Sequence, residues 1–179
     1  MHQWALINQG YPLFHVDIHG KMNRPNNCEI DVGIKSMEVL WEGDPLVTKI
    51  RSFFAKEGNV FEGLKFKGFP CTFNTEPYLH GFWGDKIHTM TEQAILLGIP
   101  SMQLEIPYAV RKKLFKDVEL RGRFQKLIRK LFDTVILPDY KESNRKLKID
   151  PKIAEMYVHS ASIKGEKERE EVLVQLNRW

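Results

Sequence analysis

The stretch Leu13-Phe14-His15-Val16-Asp17-Ile18-His19-Gly20 constrains the chain most. At a period of two, Phe14, Val16 and Ile18 fall on one face and His15, Asp17 and His19 on the other. An alternation this strict predicts a half-buried strand. Its polar face carries three groups able to bind a metal or move a proton. Gly20 reads as a sharp turn, and Arg24-Pro25-Asn26-Asn27 as a loop. A strand with solvated histidines is the plain alternative. The position of His19 at a strand end favours a site, because ligands gather at strand C-terminal ends in α/β sheets.

Two more stretches alternate. In Cys28 to Ile34, the residues Cys28, Ile30, Val32 and Ile34 are apolar, with Glu29 and Asp31 opposite. In Ser101 to Ile106, Met102, Leu104 and Ile106 are apolar, with Gln103 and Glu105 opposite. Lys65 to Asn74 predicts a further strand, weakened by Gly68 and Pro70. Helices are expected between the strands. Asp44-Pro45 opens one with the stripe Leu46, Ile50, Phe53, Phe54 and a stop at Gly58. Asp85 is expected to cap a second, running to about Leu97 with Ile87, Met90, Ala94 and Leu97 inward. Val118 to Phe132 makes a third, with Leu120, Phe124, Leu127, Ile128 and Leu131 on its apolar side and Arg121, Arg123, Lys126, Arg129 and Lys130 mostly opposite. Trp4 to Ile7 reads as a helix end. Thr75 to Gly84 reads as an aromatic, Gly-rich loop. This alternation of strands and helices predicts an α/β fold with a mostly parallel or mixed sheet flanked by helices.

The 179 residues suit one domain with an appendage. Residues 1–138 are read as that domain and 139–179 as a charged extension. In the extension, Tyr140 to Lys148 reads as linker, and short helices are expected from Asp150-Pro151 and over Glu166 to Leu176. No apolar run approaches a membrane span and residues 1–10 lack a signal pattern, so no membrane partner is expected. Cys28 and Cys71 stand far apart, outside any C-x-x-C pair, which fits free thiols in a cytoplasmic setting. The net charge is +4. That excess is small and no RNA-recognition motif or zinc finger appears, which argues against a nucleic-acid partner.

A histidine and a glutamate brought to one cleft suit metal-assisted hydrolysis, with the glutamate moving a proton between water and leaving group. Asp17 would orient a ligand from behind. An unpaired carboxylate at Glu105 is hard to explain structurally, because burying one is costly. His15 reads as a core or surface histidine and His88 as a surface one. Arg24 and Arg111 are each able to grip a carboxylate bidentately.

In order, Asp17-Ile18-His19-Gly20, Ile30-Asp31-Val32-Gly33, Phe73-Asn74, the Gly-rich aromatic loop, Gln103-Leu104-Glu105-Ile106 and Arg111 resemble N-formylglutamate amidohydrolase-like proteins, relatives of zinc carboxypeptidases and aminoacylases. The resemblance covers about residues 13–115. It implies a zinc carboxypeptidase-like (phosphorylase/hydrolase-like) fold, zinc as cofactor, His19 as a zinc ligand and Glu105 as general base. It further implies a small N-acyl or N-formyl amino acid, or a similar amide, as substrate, and Arg111 matches a basic residue usual after the strand of Glu105. Arg111, Arg24 and Asn74 are taken as candidate substrate-binding residues and Asp17 as the carboxylate behind the ligand. The family takes another metal-binding histidine and carboxylate from a segment ahead of the D-x-H strand, where this sequence offers only His2 as a candidate. Three expectations stay open. An upstream segment of the same protein completes the site and this chain is the C-terminal part. Or the metal is lost and the domain serves interaction without catalysis. Or His15, Asp31, His80 or His88 is recruited locally.

Overall fold

A computed structural model describes residues 12–77, 82 and 89–143. Readings that fall on Trp4 to Ile7, His2, His80, Asp85, Ile87, His88, Asp150-Pro151 and Glu166 to Leu176 lie outside the described residues.

Five strands form one mixed sheet: β1 (His15–Lys21), β2 (Cys28–Gly33), β3 (Lys65–Phe66), β4 (Phe69–Asn74) and β5 (Ser101–Pro107), in the order β1-β5-β2-β4-β3. β1 runs parallel to β5 and β2 parallel to β4, while β5 meets β2 and β3 meets β4 antiparallel. The expected single strand over Lys65 to Asn74 is a short hairpin. Lys67 (φ 51°) and Gly68 (φ 87°) take left-handed conformations and reverse the chain there.

The helices are α1 (Lys35–Leu40), α2 (Pro45–Glu57), α3 (Met90–Leu96), α4 (Tyr108–Lys116), α5 (Val118–Leu131) and α6 (Leu137–Glu142). α2 starts as its sequence dictates, with Asp44 accepting a hydrogen bond from the Leu46 N–H at 2.9 Å and proline in the first turn. Thr89 caps α3: its hydroxyl accepts from the Glu92 N–H, and the Glu92 carboxylate accepts from the Thr89 N–H. Met90 is accordingly exposed rather than inward. α5 and α6 join through a π-helical turn, Phe132–Ile136, so Tyr140 to Glu142 are helical where a linker was expected. Two contacts hold that end. The Tyr140 hydroxyl donates to the Leu13 carbonyl at 2.8 Å, and buried Asp139 meets the Lys49 ammonium at 3.4 Å.

The face made by the even-numbered residues of β2 and β5 and the odd-numbered residues of β4 is apolar. Ile30, Val32, Met102, Leu104 and Ile106 join Leu46, Ile50, Phe53 and Phe54 of α2 and Leu120, Phe124, Leu127 and Leu131 of α5 in one core. Each such side chain, removed from water, contributes roughly 1.5–3 kcal/mol before entropy. α3 packs against β1, β5 and α1. With its other face so anchored, the sheet presents the odd-numbered residues of β1, β2 and β5 and the even-numbered residues of β4 as a polar platform.

Candidate functional site

Strand register sets the site. His19 pairs with Glu105, Glu105 with Asp31, and Asp31 with Asn74. Paired residues share a face, so these four stand in one row across β1, β5, β2 and β4. A second row holds Asp17, Gln103 and Gly33. The residues singled out in four separate stretches thus meet on one surface. β2 runs against β5, so Asp31 reaches Glu105 as a cross-strand neighbour and not at a shared C-terminal edge, as a parallel arrangement would have it.

His19 stands at the row's open end, its side chain 49% exposed. Its Nε2 lies 3.0 Å from Asp17 Oδ1 and its Nδ1 3.6 Å from Glu105 Oε1. Glu105 is buried and accepts a hydrogen bond from Gln103 Nε2 at 2.6 Å. One carboxylate oxygen is therefore held between an amide and an imidazole.

The fully buried Asp31 is neutralised separately. Lys21 Nζ lies 2.7 Å from its Oδ1 and Arg24 Nη2 2.9 Å from its Oδ2. Burial pulls the Lys21 ammonium below the usual lysine range, against the stabilising pull of Asp31. Arg24 is thus tied to Asp31. Asn74 sits at the far end of the row. Its side-chain oxygen accepts from the Glu76 N–H at 3.0 Å and its amide reaches Glu29 at 3.5 Å. Glu29 is held by Asn27 at 2.6 Å.

Arg111 lies apart from the row. Its Nε donates to the Ile106 carbonyl at 3.2 Å and its guanidinium lies 5.6 Å from the Tyr108 ring centre. It packs where a Cβ on residue 20 would stand. Gly20 therefore makes no turn; the strand runs on to Lys21, and glycine is needed there for this close approach. At the other end of β1, the His15 Nδ1 and the Ser101 hydroxyl lie 2.7 Å apart. Burial holds the His15 imidazole below the ordinary histidine range, partly countered by Asp17.

Lys21 escaped the sequence reading, and Gln103, placed on the polar face with Glu105, was given no role. The signal for Lys21 was present: it continues the period-two polar face two residues after His19.

The zinc that the resemblance implies does not fit the described donors. A catalytic zinc takes three protein ligands. Among the described residues no group of three or more His, Cys, Asp or Glu side chains is arranged to hold a metal ion. His19 is the row's one imidazole, and both of its nitrogens face carboxylates.

No family model matches the chain, nor does any curated protein or solved structure.

Proposed function

We propose that the chain carries the acid–base half of an amidohydrolase-type site, on a zinc carboxypeptidase-like fold of the N-formylglutamate amidohydrolase-like kind. The substrate would be a small N-acyl amino acid or a similar amide, in a cytoplasmic setting. The observation that carries this reading is the row His19–Glu105–Asp31–Asn74, in which Glu105 pairs with no Lys or Arg among the described residues. Lys21 and Arg24 both go to Asp31. In this reading Glu105 accepts the proton of a water attacking the acyl carbon and returns it to the departing amine as the C–N bond breaks. Gln103 fixes the carboxylate, and His19 and Asp17 bound the open side. Arg24, 34% exposed and anchored by Asp31, keeps further N–H donors for an anionic substrate group.

The donor set favours a second reading, an interaction domain of the same fold without a metal site. One experiment separates the two. The full chain is loaded with zinc and dialysed, then assayed with N-formyl- and N-acetyl-amino acids. Turnover abolished by Glu105→Gln, with or without retained zinc, supports the hydrolase. Absence of both turnover and retained zinc supports the interaction domain.

A further inference from the structure

The chain's positive charge is concentrated in one hairpin. Nine of its 27 Lys and Arg residues lie between Tyr108 and Leu131, against two of its 23 Asp and Glu; α4 and α5 thus carry +7, and the rest of the chain −3. Lys112, Lys116, Arg123 and Lys126 are exposed and form no ion pair among the described residues. These charges are not spent on holding the fold.

The corner between the two helices adds a second feature. Phe115 is 82% exposed and Val118 68%. Neither belongs to a loose end. Arg121 Nη1 donates to the Leu114 carbonyl at 3.2 Å and the Phe115 carbonyl at 3.1 Å, closing the last turn of α4. Asp117 accepts from the Leu120 N–H at 3.0 Å, capping α5, and pairs with Lys113 at 3.2 Å. The corner is rigid, and it holds two large apolar side chains in water. Helical spacing puts Tyr108, Lys112 and Phe115 on one face of α4, and Tyr108 is itself 52% exposed.

We infer that this corner docks the protein on the surface of an anionic phospholipid bilayer. Phe115 and Val118 enter the boundary between headgroups and acyl chains, and the surrounding lysines meet lipid phosphates. Lysine stems lie along the apolar layer while their ammonium groups stay at the surface. A single-stranded nucleic acid would answer to the same charge. It would seek stacking faces, which Phe115 and Tyr108 offer, but the aliphatic Val118 held in water at the same corner offers none and suits the acyl boundary instead. A peripheral contact of this kind needs no membrane span, and among the described residues no helix is long and apolar enough to be one. The inference therefore departs from the expectation of no membrane partner, which rested on the lack of a span.

The test is sedimentation of the full chain with vesicles of phosphatidylcholine alone and of phosphatidylcholine mixed with phosphatidylserine. Binding is expected only to the mixed vesicles, and high salt should release it. The double variant Phe115→Ser/Val118→Ser should weaken binding by roughly tenfold or more through lost apolar insertion. Lys112→Glu/Lys116→Glu should abolish the preference for the anionic lipid. All four positions are exposed, and unchanged thermal melts will show that both variants fold. Equal binding to the two vesicle types, or no binding, overturns the inference. So does tighter binding to poly(U) RNA that is unaffected by Phe115→Ser/Val118→Ser.

Discussion

The guanidinium of Arg111 fills the space that a side chain on residue 20 would occupy, so Gly20 and Arg111 are two halves of one contact. That contact locks the end of β1 against the start of α4, one residue from His19.

A methyl group at residue 20 should expel Arg111, the movable partner, from the Ile106 carbonyl and the Tyr108 ring. Gly20→Ala is expected to cost about 1 kcal/mol, the worth of one hydrogen bond and its packing. In an Arg111→Ala background the same substitution should cost close to nothing. Denaturant titration of the four-member cycle measures the coupling, and equal costs in both backgrounds would show that the two residues are independent.

Asp31 holds two cations, Lys21 and Arg24, and Lys21 is buried with it. Asp31→Asn should destabilise the fold by about 3–5 kcal/mol, because it strands the Lys21 charge inside the protein. Lys21→Met combined with Asp31→Leu should recover most of that loss, since a well-packed apolar pair replaces a buried ion pair at little cost. Chemical denaturation of the single and double variants checks both.

His15 makes stability fall on mild acidification. Its folded pKa lies below its unfolded value of about 6.5. Below the folded value the ring is charged in both states and the full burial penalty is present. As pH climbs through the folded value toward the unfolded one, that penalty disappears. Stability should therefore rise with pH across the range just below about 6.5, and His15→Gln should flatten this part of the profile. A profile unchanged by the substitution would assign the slope to other groups.

Cys28 and Cys71 are register neighbours on the apolar face, and both are buried and free. Burial drives both thiols above their ordinary range, Cys71 far above it. An aromatic disulfide reagent at about pH 8, where an ordinary thiol reacts readily, should label neither in the native protein and both in denaturant. Fast native labelling of one cysteine would mean that its strand opens.

Within each strand the site was legible. Period two is a local property, and it put His15, Asp17 and His19 on one face and Gln103 and Glu105 on another. The order of strands was not, because nothing local says that β5 lies between β1 and β2 in opposite orientations to its neighbours. Two short helices were also missed. α1 has no side-chain cap at its start. α4 follows Pro107 directly, also without a side-chain cap, and buries only Val110 and Leu114. Gly20 was read as a turn because glycine's freedom and its lack of bulk leave the same trace in a sequence.

The pairing of β1 with β5 joins residues 86 apart, as at His15 and Ser101, farther than any other strand pair in this sheet. Closing so long a loop exacts its entropy before any contact rewards it. The β4 hairpin, and helices such as α2 and α5, need no such closure. His19 and Glu105 are therefore expected to come together among the last events of folding. A partly folded chain holding its helices and hairpin would expose Glu105 and β5 without yet possessing the row. Refolding followed by far-ultraviolet ellipticity would then run ahead of any probe placed between β1 and β5.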